Sequence, residues 1–138
     1  KQAGSLEKIY QKHKDQAECF LVYIREAHPT DGWRMPQNQG KAEVADPKTL
    51  KERMKVAGAC VKDLGITMPA LVDDMEDTAN LAYAGWPERL YVIGKDGKIA
   101  YAGGMGPFKF NPKDCEAFLK EHLAKPENCK EKETEKKP

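Results

Sequence analysis

Cys19-Phe-Leu-Val-Tyr-Ile24 is an unbroken apolar run of aliphatic and aromatic side chains. Such a run offers water no polar face, so it predicts a strand buried on both sides, as in an α/β sheet. The flanking segments could supply the cover. Ser5 to Ala17 is polar, with Leu6, Ile9, Tyr10 and His13 at helical spacing. Downstream, Asp46 reads as an N-cap with Pro47 at the first helical position. The helix it opens carries an apolar face of Leu50, Met54, Ala57, Cys60, Val61 and Leu64, and Gly65 ends it. Between strand and helix, Glu26 to Asp46 shows no period and reads as a long loop, a length usually kept for function or mobility.

The second half continues the alternation. Ile66 to Asp73 is a short strand reached through Pro69, and Met75 to Tyr83 a short helix ending near Gly85. Leu90–Ile93 and Lys98–Tyr101 are strands joined by Gly94-Lys-Asp-Gly97, and Asp-Gly is a strong hairpin signal. After the glycine-rich stretch Gly103-Gly-Met-Gly-Pro107, Asn111-Pro112 opens a last helix through Leu123. Residues 1–124 form one domain in this reading, and the charged tail 125–138 is expected to be disordered. The order predicts an α/β fold, a mixed sheet with flanking helices that ends in a hairpin and a helix. That is the second half of a thioredoxin-like pattern.

Composition removes several function classes. Twenty-three basic and 22 acidic side chains leave a net charge of +1, without the basic excess that nucleic acid or an anionic membrane attracts. The apolar runs are too short to cross a bilayer. Four scattered cysteines, Cys19, Cys60, Cys115 and Cys129, form no CxxC and read as free thiols, and with three histidines they give no metal spacing. Cys60 reads as an inert buried thiol, and no cysteine has an adjacent cation to make it a low-pKa nucleophile. No metal or organic cofactor is expected.

Glu26 and His28 stand where the buried strand runs out, the place where α/β sheets put catalytic groups. Two residues apart on a strand, they can face one site and move a proton, with the carboxylate orienting the imidazole. The bland alternative is a carboxylate bound to backbone N–H groups and a histidine capping a strand end. Asp31-Gly32-Trp33 is a turn whose indole lies over a substrate or packs on the core. Pro69 at a strand's first residue is compatible with either isomer.

Three segments resemble the iodothyronine deiodinase family. They are Val22-Tyr-Ile-Arg-Glu-Ala-His28-Pro-Thr-Asp-Gly-Trp33, Pro69-Ala-Leu-Val-Asp-Asp-Met-Glu-Asp77, and Pro87-Glu-Arg-Leu-Tyr-Val-Ile93 with Tyr101-Ala-Gly-Gly-Met-Gly-Pro107. The resemblance implies a thioredoxin-like redox domain that uses a selenol or thiol nucleophile and a thiol reductant as co-substrate. It makes Glu26 and His28 the proton-handling pair, and Trp33, Pro69 and Met105 contacts of a small-molecule substrate. It implies a cis Met68–Pro69 bond on the same side of the sheet as Glu26 and His28. It also implies that the nucleophile and its strand lie upstream of this chain, that strand falling between residues 19–25 and 70–73. Where the family places a hormone-contacting histidine and arginine, this chain has Pro47 and Met105, and Met68 replaces a family cysteine. Weak handling of thyroxine is the expectation. A peroxiredoxin-like or general thiol reductase, and a non-catalytic binding domain, are the alternatives; a homodimer stays open.

Overall fold

The computed structural model describes residues 2–32 and 44–128. Helix α1 (Gln2–His13) is followed by strand β1 (Leu21–Tyr23), helix α2 (Leu50–Asp63) and strand β2 (Ala70–Val72). Helix α3 (Thr78–Tyr83), the hairpin β3 (Tyr91–Ile93) and β4 (Ile99–Ala102), helix α4 (Pro112–Leu123) and a 3₁₀ turn (Pro126–Asn128) complete the order. The architecture is mixed α/β. Residues 129–138 of the expected tail lie outside the described residues.

β1 and β2 pair directly and in parallel, Leu21 opposite Ala70 and Tyr23 opposite Val72. No described strand lies between them, so in this chain the position expected for an upstream strand is closed by direct pairing. The crossover through α2 already brings β2 to β1's edge, as a βαβ unit does. β3 and β4 pair antiparallel, Tyr91 opposite Ala102, with an irregularity after Val92. Among the described residues the two pairs are not hydrogen-bonded to each other. Nor is β1 covered on both faces: Phe20 and Val22 are exposed, as is Leu71, the register partner of Val22.

Local chemistry sets the element ends. α1 stops at His13, four residues short of expectation, because the His13 carbonyl accepts from both Gln16 N–H and Ala17 N–H (2.8 Å each) and closes a turn. α2 starts at Thr49 and not at Asp46. The Thr49 hydroxyl accepts from Glu52 N–H at 3.2 Å while the Glu52 carboxylate accepts from Thr49 N–H at 3.1 Å, a complete capping box. At the other end Gly65 (φ +63°) closes a Schellman motif, Ile66 N–H reaching Val61 O at 3.0 Å and Gly65 N–H reaching Lys62 O at 3.1 Å. The buried stripe of α2 is rotated from the expected face: Leu50, Met54 and Leu64 are exposed, while Arg53 and Ala57 are buried. In α4 the Asn111 side chain caps the backbone at Lys113 (3.1 Å), and Cys115, Leu119 and Leu123 form the buried face.

The cis peptide bonds among the described residues are Trp86–Pro87 and Gly106–Pro107, so the expected cis bond at Met68–Pro69 is absent. Pro69 is also at the far end of the sheet from Glu26 and His28. Its carbonyl accepts from Leu21 N–H at 2.9 Å, where both parallel strands begin, whereas Glu26 and His28 follow the end of β1.

α1 is tied to the approach of β2 by Glu7. That carboxylate accepts from Gln11 Nε2 at 2.9 Å, from Thr67 N–H at 2.9 Å and from the Thr67 hydroxyl. These bonds, the Gln11 and Thr67 side chains foremost, lower its pKa from 4.5 to about 2. A folded pKa below the unfolded one stabilises above the unfolded value and is lost as pH falls through the folded one. Glu7→Gln should therefore melt at a lower temperature than the parent at pH 7. The gap should close between about pH 4.5 and 2, read by circular dichroism, and a gap that persists at acid pH would contradict this origin.

Candidate active site

The carboxyl ends of β1 and β2 gather most of the chain's polar machinery. At the β2 end the Asp73 carboxylate is buried and receives Ala79 N–H at 2.9 Å and Asn80 N–H at 2.8 Å, so it holds the start of α3. Asp77, in the left-handed region (φ 58°), precedes that helix. Arg53 from α2, 3% exposed, donates to Asp77 Oδ1 at 3.0 Å and to the carbonyls of Asp74 and Asp73. One guanidinium thus fixes the β2 exit. Arg25, just past β1, lies 5.6 Å from the Trp86 ring centre and 3.9 Å from Asp77, joining the two strand exits to the segment that precedes β3.

At the β1 end the chain passes through Glu26 and His28 and returns at residues 44–48. The two limbs are cinched by Thr30 N–H to Val44 O at 2.9 Å and Asp46 N–H to Asp31 Oδ1 at 2.9 Å. Lys48 adds a clamp, 3.4 Å from Asp31 and 3.6 Å from Asp46. Asp31 is held below its usual pKa, first by the Asp46 N–H. Pro47 is buried beside this neck. Trp33 lies outside the described residues.

Glu26 is half-buried, and burial raises its pKa; the Asp46 charge raises it further and His28 opposes. A carboxyl group so placed keeps its proton to higher pH than an ordinary glutamate, and a histidine stands two residues on. Cys60 of α2 is close enough to feel the Glu26 charge, and burial first, then Glu26 and Asp63, push its thiol up. Cys115 is pushed to about 11, chiefly by burial. Both thiols are the reverse of activated. Among the described residues Cys60 and Cys115 are free thiols, and no group of three or more His, Cys, Asp or Glu could hold a metal ion.

The structure thus places Asp46 and Cys60 within electrostatic reach of Glu26, although their sequence contexts suggest a helix cap and an inert face. Met105, 47% exposed, sits on a separate loop. That loop is built on Gly103 N–H to Leu90 O (2.8 Å) and Gly106 N–H to Glu88 O (3.0 Å). A side chain at Gly104 would overlap the Cβ and backbone carbonyl of Lys109, which explains that glycine, whereas at Gly106 it would meet only the movable Glu88 side chain. Pro69, at the opposite end of β1–β2, borders a small hollow with Tyr10 and Phe20.

The family profile described as iodothyronine deiodinase matches residues 2–123, that is, from α1 to the end of α4. The chain is 32% identical over 127 residues to the type II iodothyronine deiodinase of Homo sapiens, covering 90% of this chain and 46% of that protein. It is 34% identical over 127 residues to that of Neoceratodus forsteri, covering 90% and 47%. It is 40% identical over 106 residues to that of Petromyzon marinus, covering 75% and 35%. The chain therefore spans less than half the length of these relatives. No helix among the described residues is long and apolar enough to cross a membrane. The profile match runs through every described helix and strand, and with it the thioredoxin-like character of the mixed α/β fold: the chain belongs to the iodothyronine deiodinase family.

Proposed function

We propose that this chain is the proton-handling part of a thiol- or selenol-dependent reductase of the deiodinase type, with Glu26 and His28 as the acid–base pair. The single observation that carries the reading is a half-buried carboxyl of raised pKa beside His28, just beyond the carboxyl end of a parallel strand. The reading places the attacking selenol or thiol on neither Cys60 nor Cys115, whose thiolates burial disfavours. A thiol reductant would then regenerate it.

The relatives' name attaches iodothyronines to those proteins; for this chain we infer a reductive site less suited to them. Met105 offers no guanidinium to an anionic ligand, and Lys48 is already engaged by Asp31 and Asp46. The test uses a longer protein, this chain joined to an upstream segment that carries a selenocysteine or cysteine, with dithiothreitol, comparing iodide release from thyroxine with consumption of hydrogen peroxide. Peroxide turnover above thyroxine turnover is expected. Met105→Arg should raise thyroxine turnover at limiting substrate by about ten- to a hundredfold, the worth of one charge-assisted hydrogen bond. No turnover of either substrate would overturn the reductase reading. Efficient thyroxine turnover without the substitution would overturn the substrate preference alone.

A further inference from the structure

A guanidinium spans the carboxyl ends of both parallel strands. Arg25 leaves the chain just past β1, and its Nη1 lies 3.9 Å from Asp77 Oδ2, beyond β2 and ahead of α3. Trp86 supports it from the side, the Arg25 Cζ standing 5.6 Å from the ring centre. The outer ends of parallel strands are where α/β sheets take up ligands, and here the Arg25 side chain stays 51% exposed. At 3.9 Å the Asp77 contact is too long for a hydrogen bond, and Arg53 takes the other Asp77 oxygen at 3.0 Å. Asp77 therefore steers Arg25 without using up its N–H fork. The acids before it are turned to the backbone. Asp73 receives Ala79 and Asn80 N–H, and Asp74 receives Thr78 N–H at 2.9 Å.

We propose that Arg25 anchors a binding site for a small carboxylate-bearing ligand, its fork meeting the carboxylate edge-on while Trp86 supports the guanidinium face. A guanidinium fits a carboxylate through two parallel N–H···O bonds, which no ammonium or imidazole reproduces. Arginine ordinarily gives up much rotamer freedom on binding. One already held by an indole face and a carboxylate gives up less, so the site is preorganised. Under the reductase reading, on which this last step alone rests, the ligand is the substrate. It is an oxidant whose carboxylate lies close to its reacting group, because the fork leaves the chain next to Glu26.

The test reads binding in this chain and not turnover. In the ¹⁵N-labelled chain the Arg25 Nε–H and Trp86 indole N–H signals are assigned by their loss in Arg25→Lys and Trp86→Phe. Both are then followed as sodium benzoate is added at constant ionic strength. They should shift together and saturate with one Kd, and benzamide, the neutral counterpart, should shift neither. Arg25→Lys keeps the charge and loses the fork. Read from the Trp86 signal, it should weaken benzoate binding about tenfold, roughly the worth of one charge-assisted hydrogen bond. A response that does not saturate, that benzamide reproduces, or that Arg25→Lys leaves unchanged overturns the proposal. Should Arg25→Lys fail to fold, the benzoate and benzamide comparison in the parent decides. Absence of binding leaves the reductase reading standing. Saturable binding without turnover in the longer protein supports the site and removes its substrate role alone.

Discussion

Exchanging His28 for asparagine in the longer protein is expected to lower kcat by about one hundred- to ten-thousandfold, the usual worth of a positioned proton-transfer group. Asparagine keeps a polar side chain of similar reach, so the fold should survive while proton exchange is lost. Glu26→Gln should lower kcat by a similar factor and also change the pH profile. The pKa of Glu26 is raised, so its acid form persists above the ordinary glutamate range and disappears as pH rises through the folded value. If the protonated carboxyl serves the reaction, the parent loses activity through that range, and Glu26→Gln lacks that limb. Turnover within threefold of the parent in both variants would remove these residues from the chemistry. Circular dichroism on the same samples separates a lost proton path from a lost fold.

Glu26 and His28 stand out in the sequence as candidates and Asp46 and Cys60 do not, for a physical reason. The pair is local: two residues apart at the end of an apolar run, they follow from strand periodicity and from where parallel strands place reactive groups. Asp46 and Cys60 come from distant parts of the chain, and only the crossover through α2 brings them near Glu26. The helix and hairpin signals for α4 and β3–β4 were likewise local and hold, because Asn111-Pro112 and Asp96-Gly97 act on their own backbone. For α2 the decisive start signal is local too, at Thr49. Thr49-Leu-Lys-Glu52 is the capping-box pattern, a stronger start than Asp46-Pro47. A cis bond at Pro69 is implied by the family resemblance, whereas the cis bonds among the described residues precede Pro87 and Pro107. The position of Arg53 broke the expected apolar face of α2, since no periodicity rule anticipates a guanidinium chosen for carbonyls twenty residues away.

That guanidinium is the element of the fold whose loss should cost most. Arg53 is 3% exposed and Asp77 has 17% of its side chain exposed, so the pair is shielded from the screening that makes surface ion pairs weak. Arg53→Met keeps the aliphatic stem and removes the charge. It leaves the Asp74 carbonyl without its charged donor and Asp77 without its 3.0 Å partner. Removing one member of a buried ion pair costs about 3–5 kcal/mol, because the other charge stays desolvated. Arg25, 3.9 Å from Asp77, can take over part of the charge but does not replace the carbonyl contacts, which favours the lower end of that range. Urea unfolding followed by circular dichroism reads the loss directly. The double change Arg53→Met with Asp77→Asn should recover part of it, since the orphaned charge is gone while the carbonyls remain unserved. A loss below about 1 kcal/mol for Arg53→Met would mean that the β2 exit is held by Asp73 and α3 alone.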